Sequence, residues 1–223
     1  MPRTFIGVCA ILLAFGAFVL KSRAGSEAAV TLPAATVDEN KTAANGKETA
    51  VFAGGCFWGI QAVFQHIKGV RSATSGYSGG TVKNPSYETV SGGNSGHAES
   101  VQVVYDPAKI TYGELLRVFF SVALDPTELN RQGPDEGTQY RSVLFYTTDE
   151  QKRIAEAYIA QLNQAKVFSG PIVTQVVPFQ AFYMAEAYHQ NYAALHPDDP
   201  YIRYNDAPKV ENLKHEFPDL YAK

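Results

Sequence analysis

Cysteine is nearly missing from this 223-residue chain. It occurs twice, at Cys9 and Cys56, and Cys9 lies inside an apolar N-terminal run. A disulfide framework is therefore excluded. The five histidines are dispersed and show no ligand spacing, so no metal site is expected. There is no Walker loop, and no glycine stretch has the strand-to-helix context of a dinucleotide fingerprint. No bound cofactor is expected. Charged residues are 18% of the chain and the formal net charge is −3. No basic stretch is dense enough to suggest nucleic acid. Tryptophan occurs once, as Trp58.

Aromatics are plentiful by contrast, with thirteen Tyr and thirteen Phe. They supply core material, and also an apolar pocket with hydroxyl handles. The N-terminus reads as a targeting segment. Met1-Pro2-Arg3 is short and basic, residues 5–20 are apolar or small, and Lys21-Ser22-Arg23-Ala24 closes the run. This is the pattern of an export signal cleaved after Ala24. The run is slightly short of the roughly 20 residues of a spanning helix, and uncleaved it would be an N-terminal anchor. An exported protein is expected, periplasmic or anchored facing an extracytoplasmic space. Removing residues 1–24 takes away three positive charges, moving the net charge from −3 to −6. It also removes Cys9. Residues 25–47 are polar and aperiodic and read as a disordered linker. The domain is then 48–223.

Within the domain, Gly54-Gly55-Cys56-Phe57-Trp58-Gly59 stands between an apolar run (Thr49–Ala53) and an apolar-periodic segment (Ile60–Ile67). That reads as strand, glycine turn and helix. A thiol at a helix N-terminus is expected to ionise more easily, and so to be nucleophilic. Its ordinary alternative is a small buried residue. Further along, strands are expected near 69–80, 98–105, 142–147 and 172–177. Helices are expected over 111–122 (Thr111 and Glu114 forming a capping box), 150–165 and 185–195. Long loops fill 84–97 and 125–140, and long structured loops are often functional. The fold class is α+β, a mixed sheet with packed helices in a ferredoxin-like α/β plait.

Partners for Cys56 come from these loops and strand ends. Glu99, flanked by apolar residues, could be a general acid with a raised pKa, or a solvated edge charge. Tyr87 and Tyr140 could donate hydrogen bonds to a substrate oxygen, or simply pack. Asp135 is by default a turn residue. His97 and His189 could be bases, or could be spent on backbone groups. His189 and Asn191 follow Cys56 in the chain order of papain-type proteases. However, those enzymes' second cysteine and Gly-Ser are missing, and residues two apart on one helix face different ways. A cysteine-nucleophile hydrolase or acyltransferase, and a non-catalytic binder or thiol sensor, remain as alternative classes.

The ordered set Gly55-Cys56-Phe57-Trp58-Gly59, Gly76-Tyr77-Ser78-Gly79-Gly80, Asn84-Pro85-Ser86-Tyr87, Gly96-His97-Ala98-Glu99, Val104-Tyr105-Asp106-Pro107, Gly137 to Ser142 and Ala185 to Tyr192 resembles the methionine sulfoxide reductase A family. The resemblance implies reduction of the S epimer of methionine sulfoxide, free or in proteins, and thus a role in protein repair. It implies Cys56 as the nucleophile, Glu99 as the acid, and Tyr87 and Tyr140 as donors to the sulfoxide oxygen. Asp135 would belong to the polar network. Phe57, Trp58 and Tyr192 would cage the methyl group. It also implies a monomer that needs no metal, flavin or nicotinamide, with Cys56 passing through a sulfenic acid. Many members carry resolving cysteines in a glycine-rich tail, and the tail from Pro197 to Lys223 has none. This resembles the single-cysteine branch. The reductant is then an external thiol: a thioredoxin-like or glutaredoxin-like protein, or a small thiol.

Overall fold

The computed structural model describes residues 29–41 and 46–223. The signal or anchor expected at 1–24 lies outside the described residues. Among the described residues eight strands and six α-helices follow one another as β1 (Glu48–Ala53), α1 (Phe57–Gln65), β2 (Val70–Ser78), α2 (Tyr87–Ser91), β3 (Ala98–Tyr105), α3 (Tyr112–Val118), β4 (Arg131–Gln132), β5 (Asp135–Glu136), β6 (Val143–Tyr146), α4 (Asp149–Ala165), β7 (Gln175–Pro178), β8 (Phe182–Met184), α5 (Tyr192–Leu195) and α6 (Ala207–Glu216). Two π-helical turns, Phe119–Ala123 and Ile202–Asp206, extend α3 and lead into α6.

The main sheet runs β7-β6-β1-β3-β2-β8. Its four inner strands connect β1 to β2 through α1 and β3 to β6 through α3, the ferredoxin-like plait expected. Every pairing is antiparallel except β6 with β7, which makes the sheet mixed. Strand alternation builds the two faces. Ala50 and Phe52 enter the main core under the helices, while Val51 and Ala53 pack with Val143 and Phe145 on the other face. In β3 the main core takes Val101, Val103 and Tyr105. Glu99 stands on that same alternation, so β3 aims it inward rather than at solvent. The β1–β3 register, with Phe52 opposite Val101, puts Glu99 level with Gly54 at the glycine turn.

Three expectations are corrected. The disordered linker does not hold for residues 29–41. Leu32 is buried, Arg117 Nε donates to its carbonyl at 2.7 Å, and Tyr158 Oη donates to Pro33 O at 2.8 Å. Asp38 and Glu39 accept the first-turn amides of α3, from Gly113 at 2.9 Å and Tyr112 at 2.7 Å. Apolar packing by Leu32, Val30 and Val37, together with two acidic residues at a helix N-terminus, orders a stretch without periodicity. Second, 185–195 is not one helix. It is a 3₁₀ turn (Ala187–His189) and α5, divided at Asn191, whose backbone is left-handed (φ 58°). Gln190 Nε2 bonds Ser75 O at 2.9 Å and its Oε1 accepts from Ser75 N at 3.0 Å, which holds the chain against β2. Third, β8 and α6 were not expected. β8 is only three residues long, and α6 starts at Asp206-Ala207-Pro208 in a tail that gave no apolar period.

Candidate active site

Gly55 adopts φ +96°, and a Cβ there would stand 2.6 Å from the Gln132 side chain. Glycine thus permits the tight turn that delivers Cys56 to the start of α1. Cys56 is the N-cap residue of that helix and is buried. The helix's first amides are shared out: Phe57 N–H donates to Glu99 Oε2 at 3.0 Å, and the Trp58 amide lies against the thiol. The expected easy ionisation of the thiol is corrected here. Burial pushes Cys56 well up, and the carboxyls of Glu99 and Asp206 push it further, against the helping Trp58 amide. A helix terminus cannot outweigh desolvation when a carboxyl takes its leading N–H.

Glu99 is 2% exposed. Burial pushes its carboxyl up to about 8, with the Phe57 amide opposing and Asp135 and Asp206 adding. At neutral pH it holds its proton and can give one away. Tyr87 and Tyr140 both lie within the electrostatic reach of Glu99 and Cys56. Burial, then Glu99, holds both phenols above the usual tyrosine range, so both remain O–H donors. Tyr87 is positioned by Glu186, which accepts its backbone N–H at 2.8 Å and the Tyr77 hydroxyl at 2.9 Å. Tyr140 ends a 3₁₀ turn (Thr138–Tyr140) after the β4–β5 hairpin. Asp135, on that hairpin, hydrogen-bonds the Tyr201 hydroxyl.

The aromatic residues form one wall. Phe57 is fully buried and packs on His189 (5.0 Å) and Tyr77 (5.9 Å between ring centres). Trp58 is half-buried, stacks on Tyr192 at 3.8 Å and 11°, and meets Tyr201 edge-on at 5.9 Å. The Trp58 indole N–H donates to His189 Nδ1 at 3.2 Å, which fixes the ring's orientation. His189 is therefore committed to the wall rather than to the thiol. Asn191 pairs with Gln65 Nε2 at 2.6 Å, so the Cys–His–Asn order of a protease does not assemble. His97 is buried away from the thiol chemistry, accepting from Gly80 N and meeting Val82 O.

The structure thus brings together Cys56, Glu99, Tyr87, Tyr140, Asp135, Phe57, Trp58 and Tyr192. Sequence reasoning missed Tyr201, Asp206 and Glu186. Their signal was weak: the first two lie in a tail without periodicity, and Glu186 reads as an ordinary helix charge. Among the described residues no cluster of His, Cys, Asp and Glu could hold a metal ion.

Comparison with known proteins agrees with this geometry. The family model "Peptide methionine sulfoxide reductase" matches residues 48–220. The chain is 59% identical over 183 residues to peptide methionine sulfoxide reductase MsrA 2 of Mesorhizobium japonicum, covering 82% of this chain and 94% of that protein. It is 47% identical over 211 residues to MsrA 2 of Synechocystis, covering 94% and 96%. Among solved structures it is similar to methionine sulfoxide reductase A of Corynebacterium diphtheriae (TM-score 0.60, 36% identity, 70% of this chain and 77% of that one). It is also similar to reduced Mxr1 of Saccharomyces cerevisiae (0.61, 34%, 73% and 91%). The chain belongs to the peptide methionine sulfoxide reductase family, as a thiol-dependent oxidoreductase that returns methionine sulfoxide to methionine.

Proposed function

We propose that Cys56 is the nucleophile and Glu99 the acid of this reduction. The observation that carries the reading is a buried carboxyl, kept protonated near neutral pH, bonded to the amide that follows the buried thiol. The sulfoxide sulfur is poorly electrophilic until its oxygen gains a proton. Glu99 gives that proton, with Tyr87 and Tyr140 donating hydrogen bonds to the same oxygen. The Cys56 sulfur then attacks the substrate sulfur, the hydroxyl passes to the Cys56 sulfur as its bond to the substrate sulfur breaks, and the thioether leaves. Cys56 is oxidised to a sulfenic acid, the substrate is reduced to methionine, and the thiol proton replaces the one Glu99 gave. Phe57, Trp58 and Tyr192 face the substrate methyl, the apolar end of the group. A methyl wall on one side, oxygen donors on the other and attack from Cys56 together fix three directions at the sulfur, so one epimer is accepted; the family resemblance gives it as the S form.

The described residues contain no second cysteine. The sulfenic acid is therefore resolved by an external thiol, giving a mixed disulfide and water. A second thiol releases Cys56 and leaves with the first as a disulfide. Either a thioredoxin-like or glutaredoxin-like protein or a small thiol satisfies that chemistry. Export is proposed from the N-terminal pattern, and N-terminal sequencing of the secreted or periplasmic protein tests it. The chemistry is tested with each epimer of N-acetyl-methionine sulfoxide and dithiothreitol. Turnover of the S epimer alone is expected, abolished in Cys56→Ser, with a sulfenic acid trapped on Cys56 by dimedone when the reductant is withheld. Turnover by Cys56→Ser, or an internal disulfide after turnover, overturns the reading.

A further inference from the structure

Asp206 has no solvent exposure, and neither carboxyl oxygen has a hydrogen-bond partner. It ends the π-helical turn that leads into α6, so it comes from the tail rather than from the sheet. Its carboxyl lies against Gly59, in the first turn of α1, three residues after Cys56. A Cβ on Gly59 would stand 2.2 Å from Asp206 Oδ1 and 2.8 Å from its Cγ. Glycine at this position in a helix is otherwise unfavourable, so the absent side chain is what admits the carboxyl. The neighbouring cation is Lys209, itself buried, with Nζ 3.9 Å from Oδ1.

A buried carboxyl without hydrogen bonds costs stability unless it is paired or protonated. This one is paired at a distance with Lys209 and lies against the first turn of the helix that Cys56 caps. We propose that Asp206 is a positioning residue for the reduction, a carboxyl delivered through the Gly59 gap whose charge governs the proton balance between Cys56 and Glu99. The groups within its electrostatic reach are Lys209, one turn ahead on α6, Asp199 and Tyr201 from the tail, Asp135 from β5, Glu99 from β3 and Cys56 at the cap of α1. Burial, against Lys209, raises its carboxyl to about 7. Ionised Asp206 makes both Cys56 and Glu99 hold their protons more firmly. That arrangement keeps the resting thiol quiet while keeping the acid loaded at neutral pH.

The inference rests on the assignment of Cys56 and Glu99 above, and the test separates the two. Iodoacetamide labelling of Cys56 in the full chain, read by peptide mass, reports thiol ionisation whether or not the enzyme turns over. In Asp206→Asn the labelling profile should move to lower pH. The alkaline limb of kcat/KM for N-acetyl-methionine (S)-sulfoxide should move the same way. If Glu99 falls by one unit from about 8, its protonated fraction at pH 8 drops from about one half to about one tenth, a roughly fivefold loss of rate. At pH 6 the variant should retain near wild-type rate, which a merely structural role does not produce. Should Asp206→Asn fold poorly, Asp206→Ser, smaller and also neutral, gives the same readouts. Labelling and kcat/KM profiles that coincide with wild type in a folded neutral variant overturn the inference while leaving the catalytic assignment intact.

Discussion

Glu99→Gln should make the protein a much slower enzyme and, above neutral pH, a more stable one. The glutamine keeps the shape and its Oε1 can still accept the Phe57 amide, now made at 3.0 Å. What it removes is a proton equilibrium. Glu99 has its folded carboxyl raised from 4.5 to about 8. Between those two pH values the unfolded chain has released the proton and the native protein has not. The native state binds more protons, so stability falls as pH rises through this window and levels off above about 8. At about 1.4 kcal/mol per pH unit, the interval amounts to roughly 4–5 kcal/mol of stability lost by wild type across it. Glu99 is 2% exposed, so solvent screening does not discount this figure. For a domain of this size each kcal/mol moves the melting temperature by about 2–4 °C. Thermal unfolding from pH 5 to pH 9 should show the variant gaining roughly 10–15 °C on wild type as pH rises. At pH 5, where both side chains are neutral, the two should melt close together. Reductase activity should fall by about 10²–10⁴, the usual worth of a positioned acid. Parallel pH dependence of melting in the two proteins refutes the reasoning, because Glu99 would then titrate alike folded and unfolded.

Other perturbations probe the remaining supports. Gly59→Ala sets a gain in helix propensity of at most about 1 kcal/mol against a Cβ placed 2.2 Å from Asp206 Oδ1. The overlap wins, so a net loss of about 1–2 kcal/mol in urea unfolding is expected, and a gain would show that the tail yields freely. Trp58→Phe removes the indole donor to His189 and leaves a buried ring nitrogen unpaired, costing about 1–3 kcal/mol. The expected kinetic signature is a raised KM for N-acetyl-methionine sulfoxide with a smaller change in kcat, and an unchanged KM would remove Trp58 from the substrate wall. Leu32→Ala should cost about 2–4 kcal/mol, measured by thermal or urea unfolding, because the N-terminal segment 29–41 then loses its buried anchor. Unchanged stability would mean that the segment does not contribute to the fold.

Much of the site was legible in the order of residues. The glycines before Cys56, the capping box at Thr111 and Glu114 and the alternation of β3 are local signals, and each appears in the structure. Glu99 could have been placed on the core face from alternation alone, because it is in step with Val101, Val103 and Tyr105. The ordering of residues 29–41 was not legible, since its partners are Arg117, Ser121, Tyr158 and Gln161, all far along the chain. Nor was the break at Asn191, which depends on Gln190 finding the backbone of β2.

By itself, the sequence determined the plait, the thiol at a helix start and the inventory of acids, phenols and aromatics. These rest on period, turn chemistry and residue type, which act over a few neighbours. Only the tertiary structure decided how those groups are charged. Cys56 at a helix terminus, taken alone, reads as an easily ionised thiol. Packed beside Glu99 and Asp206 and away from water, it keeps its proton, and Glu99 keeps its own to about pH 8. Desolvation and the fields of distant carboxyls depend on what surrounds a group in space, and Asp206 reaches Gly59 from more than a hundred residues away along the chain.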